Sequence, residues 1–430
     1  MMRRCLILGA ILLCLSGCQR AVSSETELET VQEVVTEQEI SDEQEKILED
    51  IQMIKQAISD SPCSNEYFQA DLDALMKEVA AGDIDRERCY QRIREIISSC
   101  HCAHLNIWTK SDDPIYANCL PIKLKWFGDE LRIAVCMEEN REYLGMKVVQ
   151  ISGYSVSDVA EKYGSINSYE TERGKLAFLE EIFWEADLQY LGMLDSNRSV
   201  EFLLEDEFGN TEKLNVELRP LDQCSVISLE EMCKELPISY RNAATGVNYC
   251  FETDVEHDTM YFFYANCVNM ENYPLEECFT EMMDEIAANT NYDEIVFDIR
   301  WNGGGNRFII KPLLEKYRDE LSKLKISIIV GKDTYSAAFQ FVEDCMQLFD
   351  EVFIYGEETG QAITNYTEIK EIDLPALNCT MVIPTVEDYV PEIKKRYNDL
   401  ERGIIPDIEV YQTYEDYLNG IDTIYKAICE

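Results

Sequence analysis

The stretch EIVFDIRWNGGG, residues 294–305, decides the fold of this 430-residue chain. Its first half is a short run of β-branched and aromatic residues, which is typical of a buried strand. Its second half ends in Gly303, Gly304 and Gly305, which can turn with positive φ and let backbone N–H groups approach a bound atom closely. A buried strand that ends in a glycine turn indicates an α/β sheet, where functional groups gather at strand ends.

The rest of residues 221–430 alternates strand and helix, which predicts an α/β core. We expect a hairpin of VNYCF and MYFFYA around His257 and Asp258, followed by a helix that carries Phe279, Met282, Met283 and Ile286. A helix after Asn306, the strand ISIIV, a helix from Ser336 and the strands EVFIYG and MVIP continue the pattern. The fold class is therefore α/β, or α+β over the whole chain.

Two further regions are predicted before this core. Residues 43–104 form three short helices, because apolar residues share one face of each: Ile47, Ile51, Ile54 and Ile58; Leu72, Leu75, Met76 and Val79; Cys89, Ile93, Ile96 and Ile97. Residues 105–220 are mixed and mostly β, with a longer helix near Leu176 to Leu191. Their strands are two hairpins, turning at Gly128-Asp129 and at Gly209-Asn210, and the segment KVVQISG.

The first residues, MMRRCLILGAILLCLSGC, indicate export. Two arginines precede an apolar stretch that is short for a membrane span, and small residues precede Cys18. Leu15 to Cys18 resembles the lipobox of bacterial lipoproteins, which implies a signal peptide over residues 1–17 and diacylated Cys18; an ordinary signal peptide or an uncleaved anchor is the alternative. Residues 18–42 are acidic and lack aromatics, as in a solvated tether. We expect an extracytoplasmic protein that touches the membrane only through this lipid anchor.

Composition excludes some functions. With 83 acidic and 38 basic residues, the formal charge of -45 argues against nucleic acid as a partner. The segment CHCAH, residues 100–104, could suggest zinc, but four such residues within five positions cannot easily surround one ion and no second cluster matches. We expect no metal and no cofactor. The fourteen cysteines after Cys18 are scattered, so their pairing stays open.

A second strand end, in IIVGKDTYSAAF, places Ser336 at the start of a helix. A serine there can simply cap the helix. Alternatively, its Oγ is a nucleophile whose oxyanion meets the N–H groups of the glycine loop and of Ala337.

Four segments resemble the C-terminal processing, or tail-specific, serine peptidases and their tricorn-core relatives. They are EIVFDIRWNGGG, TYSAAF, YGEETGQ and GIIPDIEV, and they occur in the family's order over roughly residues 245 to 412. The resemblance implies a ClpP/crotonase-like α/β peptidase core, a peptide or protein substrate and Ser336 as nucleophile. It also implies that Asp298, Arg300 and Asn302 brace the glycine loop and that Gly304 or a neighbour supplies an oxyanion donor.

The resemblance also bears on the catalytic base. One branch of the family uses a lysine after Thr-Gly-Gly, but here Thr359 and Gly360 are followed by Gln361 and no lysine stands at that position. The other branch takes a histidine from the segment before the core, which implies His104 in CAHLNIW. Histidine suits the role because its pKa lies near neutrality. His101 is an alternative, whereas His257 belongs to a polar turn and is expected to face solvent.

The family also implies an acid that orients the histidine. Glu401 in DLERGIIPD is the nearest match, with Asp399 as the alternative. The chain departs from the family where Cys102-Ala103 replaces an acidic residue and glycine, and where Gln361 replaces a glycine. A catalytically inactive relative that binds peptides or cell-envelope material is therefore a second hypothesis. LGMKVVQISGYSV is similar to the end of a PDZ-like unit, although its carboxylate-binding loop is not recognisable.

Overall fold

Three helices come first in the computed structural model, which describes residues 40–64, 66–110, 113–289 and 291–430. They are α1 (Asp42–Ser59), α2 (Glu66–Ala81) and α3 (Arg86–Ser98). Ser41 and Gln44 form a capping box at the start of α1, with each side chain bonded to the other's backbone N–H. The three predicted helices are confirmed. The residues of their predicted apolar faces are buried, except Met76 of α2, which is partly buried. The proposed signal peptide and Cys18 lie outside the described residues.

The next part of the chain is mostly β. Its strands are β1 (Asn106–Thr109), β2 (Asn118–Cys119), β3 (Lys123–Phe127), β4 (Glu130–Met137), β5 (Lys147–Ile151), β6 (Tyr154–Ser155), β7 (Ser199–Glu205), β8 (Thr211–Glu217), β9 (Arg219–Pro220) and β10 (Val226–Ser228). Its helices are α4 (Val156–Gly164), α5 (Glu172–Ala177) and α6 (Glu185–Tyr190). A seven-stranded antiparallel sheet has the order β10-β4-β5-β7-β8, with β3 on β4 and β6 on β5. Both predicted hairpins and the strand KVVQISG are confirmed.

The single long helix predicted near Leu176 to Leu191 is wrong. The segment contains the end of α5, a short 3-10 turn and α6, with extended backbone between them. The extended residues pair with another strand segment, because the Phe183 carbonyl accepts the Leu120 N–H at 3.0 Å and Trp184 bridges Cys119. This tertiary pairing overrides the local helical pattern.

The last part of the chain forms the α/β core. Its strands are β11 (Tyr249–Asp254), β12 (Thr259–Tyr264), β13 (Glu294–Asp298), β14 (Lys325–Val330), β15 (Val352–Gly356), β16 (Tyr366–Leu374), β17 (Cys379–Glu387) and β18 (Ile408–Glu409). Its helices are α7 (Ile238–Ala244), α8 (Leu275–Ala288), α9 (Lys311–Lys316), α10 (Arg318–Leu321), α11 (Ala337–Leu348), α12 (Pro391–Arg396), α13 (Tyr414–Leu418) and α14 (Thr423–Cys429). The core sheet has the order β11-β12-β13-β14-β15-β18 and is parallel from β12 onward.

The core sheet positions the site. Its inward residues pack with those of α8 and α11 in one apolar cluster, so β13 and β14 are fixed by burial. The two strands are parallel and neighbouring, with Asp298 beside Ile329, so their carboxyl ends meet at one edge. The glycine loop after β13 and the loop before α11 therefore emerge side by side, as the sequence predicts.

The predicted strand MVIP does form, but it does not continue the core sheet. It lies in β17, which pairs with β16 and with β1 in a separate three-stranded sheet. The apolar face of this sheet, including Leu374, Met381 and Ile383, packs into the same cluster as α1, α2 and α3. Strands from the last part of the chain thus complete the core of the first. Within the described ranges, no helix combines the length and apolar character needed to span a membrane.

Candidate active site

The glycine loop and the loop before α11 are joined by hydrogen bonds. The Tyr335 N–H donates to the Asn302 carbonyl at 3.0 Å. The Thr334 hydroxyl donates to the Ile299 carbonyl and accepts the Gly331 N–H, both at 3.0 Å. These bonds fix the position of the residue that follows, Ser336.

The side chains of Asp298 and Arg300 lie beneath the glycine loop. Arg300 Nε donates to Asp298 Oδ1 at 2.9 Å and Nη1 to Asp422 Oδ1 at 3.1 Å, while the Tyr261 hydroxyl donates to Asp298. All three charged groups are at most 5% exposed, so the cation and the carboxylates compensate one another away from bulk solvent.

Asn302 holds the loop from inside. Its Nδ2 donates to the Tyr264 carbonyl and its Oδ1 accepts the Gly304 N–H, each at 2.9 Å. The first of these bonds ties the loop to β12, and the second closes the turn. Because Asn302 is fully buried, the loop has a defined shape before any ligand arrives.

Gly304 lies directly against Ser336. It has φ of +105°, and a Cβ added there would lie 2.6 Å from the Ser336 Cβ, so only glycine fits. Its N–H is already bonded to Asn302, which corrects the expectation that Gly304 itself supplies an oxyanion donor. The backbone hydrogen bonds of the described residues include none donated by Gly303, Gly305 or Ala337, so those N–H groups are free to act as donors.

Ser336 has an unusual backbone conformation. With φ of 55° and ψ of -120°, it stands just before the first residue of α11, and its side chain makes no capping hydrogen bond. Such a conformation costs about 1–3 kcal/mol for a residue other than glycine and is concentrated at functional sites. Simple helix capping is therefore the wrong interpretation of this serine.

His104 lies just before β1 and is partly buried. Its side chain is 15% exposed, and the Glu170 Oε1 lies 4.0 Å from its Nδ1. That nitrogen is buried and has no hydrogen-bond partner in the described part of the chain. Burial lowers the pKa of His104, partly opposed by the negative charge of Asp388. The imidazole is thus neutral at neutral pH and can accept a proton.

Sequence patterns missed Glu170. Its two carboxylate oxygens accept the N–H groups of Ala103 at 3.0 Å and of Ala362 at 2.9 Å, and its side chain is 2% exposed. Burial raises its pKa to about 8. Glu170 precedes the N-cap of α5 without any recognisable motif, so only the tertiary structure brings it to His104.

Glu401, predicted to orient the histidine, is not beside it. Glu401 and the alternative, Asp399, are both exposed, and the Glu401 N–H donates to Asp399 Oδ1 at 3.2 Å. The carboxylate within 4.0 Å of His104 is that of Glu170. The prediction chose Glu401 because it comes just before GIIPD in the sequence. In the structure, the backbone of GIIPD bonds to Glu358 and Thr359.

A short series of contacts brings the His104 segment to Ser336. Glu170 lies 4.0 Å from His104 and accepts the Ala362 N–H, while the preceding residue, Gln361, accepts the Ser336 N–H through Oε1. The hydrogen bonds of the described residues do not include one between Ser336 Oγ and His104. Catalytic hydrogen bonds are often formed only in the substrate complex.

The other two histidines are elsewhere. His101 is exposed, and its ring centroid lies 4.8 Å from that of Tyr169 in an edge-to-face arrangement. His257 lies in the β11–β12 turn, where its Nδ1 is 2.8 Å from Asp254 Oδ2. Asp254, His257 and Cys429 form the one group of possible metal ligands found in the described ranges. Asp254 and His257 already bond each other, so the geometry is explained without an ion.

The cysteines of CHCAH lie close to Cys63. The Cys100 thiol donates to the Cys63 carbonyl at 3.4 Å, and the Cys63 thiol is within reach of Cys100 and Cys102. All fourteen cysteines in the described ranges are free thiols.

Comparison with solved structures identifies the architecture. Mature CPAF matches with a TM-score of 0.63 and 13% identity, over 90% of this chain and 96% of that one. The complex of mature CPAF with lactacystin matches with a TM-score of 0.60 and 11% identity, over 90% and 97%. The photosystem II D1 C-terminal processing protease matches at 14% identity over 91% and 97%, but its TM-score of 0.43 is too low to support further argument.

The chain has the fold of mature CPAF. No protein-family model and no curated sequence matches it, so the similarity is one of fold. The position at which the resemblance of the sequence implies a lysine in the Ser-Lys branch holds Gln361, which is fully buried beside Ser336.

Proposed function

We propose that this protein is a serine peptidase that hydrolyses peptide bonds with Ser336 as nucleophile. The main support is the conformation of Ser336. Its strained backbone holds the hydroxyl beside Gly304 at the start of α11, where the hydroxyl makes no capping hydrogen bond. A serine used only for packing or capping needs no such strain. Peptides or proteins are the substrate class that the peptidase fold supports.

His104 is proposed as the base. Its Nδ1 faces Glu170, which leaves Nε2 to accept the Ser336 hydroxyl proton as Oγ attacks the substrate carbonyl. The imidazolium then gives that proton to the leaving amine as the C–N bond breaks and an acyl-enzyme forms. A water molecule, activated by the same histidine, releases the acid product and restores Ser336.

Glu170 is proposed to take the role first assigned to Glu401. As a carboxylate, it orients the Nδ1–H of His104 and stabilises the imidazolium. The negative oxygen of the tetrahedral intermediate is stabilised by the N–H of Ala337 and of Gly303 or Gly305, which bond to no acceptor among the described residues. No step in this scheme needs a metal or a cofactor.

The peptidase proposal is tested by hydrolysis of a peptide library with the purified protein and with Ser336→Ala and His104→Ala variants. We expect the wild type to cleave peptides and each variant to lose roughly 10³- to 10⁶-fold in kcat while its circular dichroism is unchanged. Equal cleavage by wild type and Ser336→Ala would contradict the proposal. A folded wild type that binds peptides but cleaves none would instead favour the inactive binding protein.

We further propose that the protein is exported and held at a bacterial membrane by lipid on Cys18. The support is the sequence before residue 19 alone: an arginine-led apolar segment followed by Leu-Ser-Gly-Cys. Metabolic labelling with a palmitate analogue should mark the wild type and not Cys18→Ala, and should leave the wild type in the membrane fraction. An unlabelled wild type would contradict this localisation.

A further inference from the structure

Gln361 makes an unusual pair of contacts beside the proposed nucleophile. Its side chain is fully buried, and its Oε1 accepts the backbone N–H of Ser336. Its Nε2 is also buried and has no hydrogen-bond partner in the described ranges. The amide orientation is fixed, because the Ser336 N–H can only be met by an acceptor.

The unpaired amide nitrogen must lie near Ser336. The oxygen and nitrogen of one carboxamide are about 2.3 Å apart by standard bond lengths, so Nε2 sits next to the atom that bonds the Ser336 N–H. Leaving a buried N–H without an acceptor is costly, and native structures almost always avoid it. A donor held in this state is explained if an acceptor arrives with the substrate.

The segment around Gln361 is rigid. The Thr359 hydroxyl donates to the Gln361 carbonyl at 2.9 Å and accepts the Ile404 N–H at 2.8 Å. Gly360 packs so closely that an added Cβ would lie 2.1 Å from the Lys332 carbonyl oxygen. The amide is therefore positioned in advance, as an electrostatic catalyst requires.

We propose that Gln361 Nε2 donates a hydrogen bond to the substrate carbonyl oxygen as it becomes the oxyanion on Ser336. This inference rests on the proposed peptidase function and adds a side-chain donor to it. The Ser336 N–H is not available to the oxyanion, because it already donates to Gln361 Oε1. The residue that stands where a lysine base is expected thus serves as a donor of hydrogen bonds and not as a base.

Two substitutions distinguish hydrogen-bond donation by Gln361 Nε2 from the contact of Gln361 Oε1 that holds the Ser336 backbone. Gln361→Met removes both donor and acceptor with little change in volume, whereas Gln361→Glu, measured at pH 9 to keep the carboxyl ionised, retains only the acceptor for the Ser336 N–H. We expect both variants to lose roughly 10²- to 10³-fold in kcat and in the rate of fluorophosphonate labelling, with KM little changed. Gln412→Met, which removes a buried amide bonded to Ile421, serves as the control and should label at the wild-type rate.

Each outcome decides a different point. If Gln361→Glu labels like the wild type and only Gln361→Met is slow, Gln361 merely braces Ser336 and the inference is overturned. Wild-type rates in both folded variants would overturn it as well, while leaving the peptidase intact. A wild type that reacts with no fluorophosphonate and cleaves no peptide would refute the proposed function itself.

Discussion

At the scale of single residues, the site depends on how burial changes proton affinity. His104 is neutral because burial lowers its pKa, and Glu170 holds its proton to about pH 8 because its carboxylate is removed from water. The carboxylate form of Glu170 is the one that stabilises an imidazolium. Activity should therefore depend on the ionisation of Glu170 more than on that of the histidine.

We predict that kcat/KM rises with pH and levels off above about pH 8, the pKa of Glu170. Glu170→Gln should lose roughly 10²- to 10⁴-fold and should no longer show the rise near pH 8, because a neutral amide cannot stabilise the imidazolium. Glu401→Gln changes an exposed carboxylate and should keep the wild-type profile. A pH–rate profile of the three proteins checks this, and a loss confined to Glu401→Gln would restore the sequence-based assignment.

The same carboxyl should affect stability with a definite sign. Its folded-state pKa of about 8 lies above its ordinary value of 4.5, so the folded protein binds the proton more tightly. The free energy of unfolding should accordingly fall as pH rises from about 5 to 8, and Glu170→Gln should flatten this decline. Denaturant titrations at several pH values measure both slopes; equal slopes in the two proteins would show that Glu170 does not hold its proton.

Among the secondary-structure elements, α5 connects the middle sheet to the loops of the candidate site. Its N-cap residue, Thr171, accepts the Gly174 N–H and donates to the carbonyls of Thr359 at 3.0 Å and Gly360 at 3.2 Å. Gly174 packs against the same loop, because a Cβ added at Gly174 would lie 2.9 Å from the Gly360 carbonyl oxygen. One short helix therefore sets the position of the segment that carries Gln361.

Thr171→Val removes the Thr171 hydroxyl, which both caps α5 and bonds the carbonyls of Thr359 and Gly360. Loss of the cap should lower the free energy of unfolding by about 0.5–2 kcal/mol. Loss of the bonds to the Thr359–Gly360 turn should lower kcat roughly tenfold by displacing Gln361. Thr413→Val removes the corresponding cap of α13 and should destabilise similarly without lowering kcat. Equal kcat values in the two variants, measured beside their denaturation curves, would show that α5 does not position the site.

Elements with a local pattern could be predicted from sequence. The isoleucine stripe of α1 and the hairpins have periodicities that their buried faces require, and EIVFDI is a run of β-branched and aromatic residues that is buried on both faces. The position of Ser336 follows from a strand that runs into a helix. Elements determined by distant partners could not. The extended residues before α6 pair with Cys119 and Leu120, and β17 pairs with β1 in a sheet separate from the core sheet. Glu170 lies near His104 only in the folded chain.

At the scale of the whole molecule, the proposed triad draws one residue from each predicted region. His104 ends the helical region, Glu170 belongs to the mostly β region and Ser336 to the α/β core. The regions are not separate modules, because β16 and β17 complete the core of the helical layer and β17 pairs with the strand that follows His104. The proposed site is therefore assembled only when all three regions have folded together.

The central claim is that Ser336 is a nucleophile activated by this assembly. The most direct measurement is treatment of the folded protein with a fluorophosphonate, followed by mass spectrometry of its peptides. We expect one phosphonylated residue, Ser336, with no adduct in Ser336→Ala and a much slower reaction in His104→Ala. An unmodified Ser336 in well-folded protein, or an adduct at another serine, would contradict it.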